Sequence, residues 1–175
     1  MKKKKAGILF WVTGLSGSGK TTLCKKIYPL IKKKYGPTII INGDDLRKTF
    51  SIYGYTRAER LNLGRKYIKL CNLIINQNIN VIFGVVGLLH ELHKINRSTF
   101  TNYLEIYIKT QIKVLNKSKK KFLYKRKTKN VWGIDLKPEY PKKPHITIVN
   151  NYKESTNKLA KELIKKIEIK LNEKK

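Results

Sequence analysis

At 175 residues, 41% hydrophobic and 10% aromatic, the chain suffices for one domain with a full core and is too short for two. It carries 40 Lys and Arg against 11 Asp and Glu, a formal net charge of +29, which steers anionic ligands inward. Nothing approaches the roughly 18–20 apolar residues of a membrane span, and Cys24 and Cys71 lie too far apart for a CxxC or metal-ligand spacing.

Lys2 to Lys5 ahead of the apolar stretch Ala6 to Val12 imitate a short signal peptide. The apolar run leads straight into a glycine-rich segment with no small-residue cleavage site before it, so we expect a buried first strand in a soluble, cytoplasmic protein. Further apolar runs mark parallel strands at Thr38–Ile41, Val81–Val86, Leu104–Ile108 and His145–Val149, the first being Ile8–Thr13. Helical patterns fall between and after them, at Gly19–Lys34, Arg57–Gln77, Glu91–Arg97, Gln111–Asn116 and Glu154–Leu171. Both cysteines sit in these patterns and are expected as buried thiols. The alternation predicts an α/β fold, a parallel β-sheet flanked by helices, whose ligands bind beyond the carboxyl ends of the strands. The whole chain, 1–175, reads as a single domain. Its one aperiodic stretch, Lys117–Pro144, is lysine-rich, contains Pro138, Pro141 and Pro144, and has the length of a lid or binding loop.

The strongest local signal is Gly14-Leu-Ser16-Gly17-Ser18-Gly19-Lys20-Thr21, followed by Thr22. It is a complete G-x-x-x-x-G-K-[ST] pattern between an apolar strand and a helix, the context a phosphate-binding (P-loop) motif requires. Glycines let the backbone direct its N–H groups at phosphates, and the helix N-terminus adds partial positive charge. The pattern assigns Lys20 to the β- and γ-phosphates of ATP and the Thr21 hydroxyl to Mg²⁺.

The guanine-reading N-K-x-D signature is absent, and Val81–Val86 runs into Gly87-Leu-Leu without the carboxylate usual in ATPase motors. Carboxylates follow the second strand instead, in Asn42-Gly-Asp44-Asp45-Leu-Arg47. That strand end shares the carboxyl edge with the phosphate loop. Asp44 there can hold Mg²⁺ through water or accept the proton of an attacking hydroxyl, and Arg47, one turn on, faces the same cleft. Asp45 has two readings, a second cleft carboxylate or the cap of the next short helix.

Here the sequence resembles the adenylylsulfate (APS) kinases. Their G-L-S-G-S-G-K-[ST]-T loop is matched by Gly14 to Thr22, and their D-G-D-x-[LV]-R by Asn42 to Arg47, with Asn for the first Asp. Gly54-Tyr55-Thr-Arg-Ala-Glu59-Arg60 and then Arg65 stand where that family has G-F-S-x-x-D-R and an arginine-bearing helix. Gly133-Ile-Asp135-Leu-Lys-Pro-Glu139-Tyr-Pro141-Lys-Lys-Pro144 follows its G-I-D-x-P-Y-E-x-P-x-x-P in register. The resemblance implies transfer of phosphate from ATP·Mg²⁺ to the 3′-hydroxyl of a nucleotide. Asp44 would be the hydroxyl-orienting carboxylate, and Arg47, Arg60 and Arg65 would lie on substrate phosphates. Homodimers are common in the family.

The departures lie in substrate-reading segments. Val86-Gly87-Leu88-Leu89-His90 replaces I-S-P-Y-R, Ser118-Lys-Lys-Lys121-Phe122-Leu123-Tyr124 replaces the lid's R-D-x-K-G-L-Y, and Leu63 replaces a helix asparagine. Retained ATP machinery beside altered acceptor contacts suggests a changed acceptor. The cytidine diphosphoramidate kinases of bacterial capsule modification form such a branch, and we prefer it to a true APS kinase. Tyr53 and Tyr55 read equally as base-stacking platforms and as packing at the helix entry; the lid residues Phe122 and Tyr124 are candidates to close over the nucleotide, and Lys121 is a candidate to stabilise charge on the transferring group. Trp132 reads as a loop anchor, and His90 and His93 as surface histidines rather than a metal pair. A nucleic-acid 5′-kinase or nucleic-acid-binding module is the reading that charge alone offers. Without an accompanying motif we expect no nucleic-acid partner and read the lysines as residue-usage bias.

Overall fold

The computed structural model describes residues 6–117 and 129–173. Strands β1 (Leu9–Thr13), β2 (Thr38–Asn42), β3 (Asn80–Val85), β4 (Tyr103–Lys109) and β5 (Ile146–Val149) alternate with helices α1 (Lys20–Tyr35), α2 (Gly43–Thr49), α3 (Arg57–Ile75), α4 (His90–Thr99), α5 (Ile112–Lys117) and α6 (Thr156–Asn172). The strands form one parallel sheet in the order β2-β3-β1-β4-β5. The central strand is therefore the first in sequence; the chain crosses to the β2 edge, returns through β3, and then passes to β4 and β5 on the other side of β1, leaving a crevice at the carboxyl edge.

Each strand is apolar on both faces because both are covered. Leu9, Trp11, Val81, Phe83, Tyr103 and Tyr107 pack under α3 and α4 with Leu63, Tyr67, Cys71 and Leu92. Their neighbours Phe10, Val12, Ile82, Leu104, Ile106 and Ile108 pack under α1 and α6 with Leu23, Cys24, Ile27, Leu159 and Leu163. Burying a large apolar side chain is worth about 1.5–3 kcal/mol, so these two layers hold the sheet edge that carries the site. Both cysteines are free and buried, and burial raises each thiol to about 12.

The elements expected from periodicity are all present, with ends shifted by a residue or two. α2 begins at Gly43 with Asn42 as its N-cap. Asp45 is thus not the cap but lies in the first turn, where its carboxylate accepts from Asn42 Nδ2 at 2.8 Å. His93 is not a surface residue; it is 6% exposed on the inner face of α4. Among the described residues no group of three or more His, Cys, Asp or Glu could hold a metal, and no helix is long and apolar enough to cross a membrane.

Candidate active site

The carboxyl edge opens into a cleft of about 330 Å³. Its floor is the phosphate loop between β1 and α1. Gly14, Gly17 and Gly19 have φ of 151°, 77° and 94°, a region that L side chains rarely enter. A Cβ on Gly14 would lie 2.5 Å from the Ile108 carbonyl oxygen, and one on Gly19 2.7 Å from Asn150 Nδ2. Lys20 is buried, and its Nζ donates to the Leu15 carbonyl at 2.7 Å, so the ammonium lies across the loop. Ser16, Gly17, Gly19, Lys20, Thr21 and Thr22 all line the cleft, with Thr21 and Thr22 exposed. Gly14 and Ser18 do not; Ser18 is fully buried and its Oγ has no hydrogen-bond partner among the described residues.

A second anchor of this loop lies beyond β5. Asn150 Nδ2 donates to the Ser18 carbonyl at 3.0 Å, and the Tyr152 hydroxyl donates to the Gly17 carbonyl. The motif itself does not point to either residue. Their position just past the last strand, on the ligand edge of a parallel sheet, was the signal available.

One wall comes from α2 and α3. Asp44 is exposed in the first turn of α2, and Arg47 one turn later; both line the cleft. Arg47 Nη1 is spent on the turn that follows, donating to the Gly54 carbonyl at 2.8 Å and the Ile52 carbonyl at 3.3 Å. Its guanidinium lies 4.6 Å from the Tyr55 ring centroid, a cation–π distance. Arg60 donates to the carbonyls of Tyr55 at 2.7 Å and Asn130 at 2.8 Å, between the rings of Tyr55 and Trp132. Burial lowers its pKa from the usual arginine value. Tyr55, Arg60 and Trp132 reach the cleft, whereas Arg65 is exposed and lies outside it. On α3 the cleft takes Arg60, Leu63, Gly64 and Tyr67, the three- and four-residue spacing of one helix face, and Arg65 falls off that face.

The turn that delivers Trp132 is closed by Asp135, whose carboxylate accepts from the backbone N–H groups of Asn130 and Val131. Trp132 is buried, as expected of a loop anchor. Lys121, Phe122, Leu123 and Tyr124 lie outside the described residues. Tyr53 is 73% exposed and does not line the cleft.

The opposite wall is the loop from β3 to α4. Val86, Gly87, Leu88 and Leu89 all line the cleft. Three successive carbonyls of this loop are tied to three different parts of the molecule. That of Val86 accepts from Thr13 Oγ1, that of Gly87 from a ring N–H of His93 at 2.8 Å, and that of Leu88 from the Glu139 backbone N–H at 3.1 Å. Glu139 also accepts from the His90 backbone N–H at 2.9 Å and pairs with Arg57 at 2.7 Å, which in turn pairs with Glu91 at 2.8 Å. The end of the expected lid is thereby fastened to the starts of both α3 and α4.

The family model described as adenylylsulphate kinase matches residues 6–149. A cytidine diphosphoramidate kinase of Campylobacter jejuni is 31% identical over 163 residues, covering 91% of this chain and 95% of the relative. An adenylyl-sulfate kinase of Gloeothece citriformis is 26% identical, covering 91% and 96%. Among solved structures, the Mycobacterium tuberculosis APS kinase in complex with AMPPNP and APS superposes with a TM-score of 0.82 at 23% identity, covering 93% of this chain and 98% of that one.

Proposed function

The chain belongs to the adenylylsulphate kinase family and is a kinase, and within that family we propose that it transfers the γ-phosphoryl group of ATP to the 3′-hydroxyl of cytidine diphosphoramidate. The observation that carries the reading is the single cleft that holds the phosphate loop, Asp44 and the apolar Val86–Leu89 wall together. The phosphate loop fits a nucleoside triphosphate: its glycines occupy conformations that a side chain would block, and Lys20 is held within the loop's span.

The loop N–H groups and Lys20 bind and orient the β- and γ-phosphates. Thr21 and Asp44 are the residues that would hold Mg²⁺, a cation that retains water and takes few protein ligands beside phosphates. When bound, it supplies charge neutralisation at the phosphate oxygens. Asp44 orients the acceptor hydroxyl and accepts its proton as the oxygen–phosphorus bond forms and the bond to ADP breaks. Arg47 and Arg60, supported on Tyr55, face the acceptor's phosphate-like group. Lys121, Phe122, Leu123 and Tyr124 belong to the lid that excludes water during transfer.

The choice of a cytidine acceptor is supported by the 31% identical relative and by the Val86–His90 segment, which has Gly87, Leu88 and His90 where the APS kinase pattern has Ser, Pro and Arg. The alternative acceptor within the family is APS itself. ADP release from ATP·Mg²⁺, with the two acceptors offered separately, decides between them. Turnover with cytidine diphosphoramidate alone is expected; turnover with APS alone would overturn the acceptor assignment and leave the kinase standing. We further propose a cytoplasmic homodimer acting on free nucleotides rather than nucleic acid, which sedimentation of the purified chain with and without oligonucleotide would test.

A further inference from the structure

Beneath the acceptor-facing wall lies a polar cluster that phosphoryl transfer does not use. Glu105 projects from the middle of β4 into the apolar layer under α4, with its side chain 1% exposed. Its Oε2 accepts from Arg97 Nη2, and its Oε1 lies 3.2 Å from His93 Nδ1. The other ring nitrogen of His93, Nε2, is 2.8 Å from the Gly87 carbonyl. Gly87 is the left-handed residue of the wall, with φ 44°, and a Cβ there would lie 3.3 Å from the Trp11 ring.

The hydrogen inventory of this row is restrictive. A carbonyl only accepts, so Nε2 must carry a hydrogen. With Nε2 protonated, a neutral ring leaves a bare lone pair on Nδ1 beside Glu105 Oε1, a buried oxygen that accepts no hydrogen bond among the described residues and has His93 Nδ1 3.2 Å away. Two buried acceptors at 3.2 Å repel unless one more proton lies between them. The row is satisfied only when the pair holds that proton, either on His93 beside a carboxylate or on Glu105 beside a neutral ring.

Resting on the kinase reading of the cleft, we propose that His93 and Glu105 form a buried pair sharing one proton, and that this pair positions the Gly87 turn against the acceptor nucleotide. Both are positioning residues; neither touches the reacting atoms. Arg97 anchors the Glu105 carboxylate from α4, and the Glu105 backbone N–H donates to His145 Nδ1 at 2.9 Å, which fixes the main chain at that point of β4. The other titratable groups around the pair are His90, 6.4 Å from His93 ring to ring, Tyr103 on β4, and Glu139 at the end of the lid segment. Burial shifts His93 downward and Glu105 upward, which brings the two proton affinities together. As pH rises and the shared proton leaves, the one hydrogen left on the ring cannot serve both sides: either the Nδ1 lone pair faces the carboxylate, or the hydrogen moves to Nδ1 and the Gly87 carbonyl loses its donor.

Three variants of the full chain test this. His93→Ala and Glu105→Leu are each expected to raise the acceptor KM about tenfold while the ATP KM stays within about twofold, the loss of one hydrogen bond to a charge-bearing partner. Glu105→Gln is expected to restore the acceptor KM, because its amide donates to Nδ1 and its oxygen accepts from Arg97, and to abolish the rise of acceptor KM at alkaline pH that is expected of the wild type. An equal rise of both KM values, or no rescue by Gln, would overturn the proposal. Nitrogen-15 NMR of the protein, which has 3 histidines, reads the pair without any acceptor. A protonated Nε2 and a hydrogen-bonded or protonated Nδ1 on His93 are expected near neutral pH, with the Gly87 and Leu88 amide signals displaced in His93→Ala. A bare Nδ1, or amide signals unmoved by the variant, refutes the proposal. Because this readout needs no turnover, it separates failure of the pair from failure of the acceptor assignment.

Discussion

The two sides of the cleft are built on opposite principles. The phosphate loop is shaped within a few residues of itself: Gly14, Gly17 and Gly19 set its curvature, and Lys20 reaches back to the Leu15 carbonyl. The Val86–His90 wall is shaped from far away. Its carbonyls and the first N–H of α4 are held by Thr13, His93 and Glu139, and of these only His93 is near in sequence. A loop stabilised locally can be carried unchanged between proteins as a motif. A loop stabilised by scattered partners changes when any partner changes, which suits the side proposed to read the acceptor.

The sharpest way to break this comparison is at its local side. Lys20→Ala removes the only side-chain charge built into the loop and is expected to lower kcat by about 10³-fold or more, because charge stabilisation at the transferring group is the main catalytic term in phosphoryl transfer. The melting temperature should change little. Steady-state ADP release and a thermal melt check both, and activity within tenfold of the wild type would sink the assignment.

Asp44→Asn comes next. The residue is exposed in the first turn of α2, so the exchange costs little folding energy. It removes the proton acceptor, and a loss of about 10²–10⁴-fold in kcat is expected with ATP affinity retained. Near-normal turnover would mean that the hydroxyl is activated elsewhere.

The same contrast explains what was legible in the sequence. Strand runs were readable because both faces of the sheet are covered, so the strands are mostly apolar along their length, with Glu105 in β4 the charged exception. The phosphate loop was readable because its geometry demands glycines at fixed spacing. His93 was misread as a surface residue: a histidine on a polar helix carries no local mark of the Glu105 that faces it from another strand. Asp45 was open between two roles; Asn42 took the cap position, and Asp45 lies in the first turn of α2 outside the cleft lining. Arg65 was carried over by resemblance, but the helical phase set by Arg60, Leu63, Gly64 and Tyr67 turns it outward. Asn150 and Tyr152 went unmarked because their partners, the Ser18 and Gly17 carbonyls, are backbone groups, which leave no trace in side-chain patterns.

Asn150 in fact qualifies the contrast, since it is a distant residue serving the local loop. Asn150→Ala leaves the Ser18 carbonyl without its donor and frees Tyr152 N–H, which Asn150 Oδ1 accepts at 3.1 Å. Stranding a buried polar group costs about 1–3 kcal/mol. An ATP affinity about tenfold weaker, with the acceptor KM unchanged, is expected from titration with a fluorescent ATP analogue. No change would show that the loop holds its shape unaided.

The smallest effect is expected where the acceptor wall meets a purely local device. Thr56 caps α3 with a complete capping box: its Oγ1 accepts from the Glu59 N–H at 3.3 Å, and Glu59 Oε2 accepts from the Thr56 N–H at 2.9 Å. This box starts the helix that carries Arg57 and Arg60. Thr56→Ala should cost about 1 kcal/mol of stability, seen as a melting-point drop of a few degrees, with kcat within about twofold because Arg60 keeps its own bonds to the Tyr55 and Asn130 carbonyls. The bonds to Thr56 lower the Glu59 pKa below its ordinary 4.5. A depressed carboxyl pKa adds stability above the unfolded-state value and loses it as pH falls through the folded-state value. The melting difference between wild type and variant should therefore be full at neutral pH and shrink below about pH 4.5. If it instead persists undiminished in acid, the cap acts through the threonine hydroxyl alone, and Glu59 contributes nothing to starting the helix.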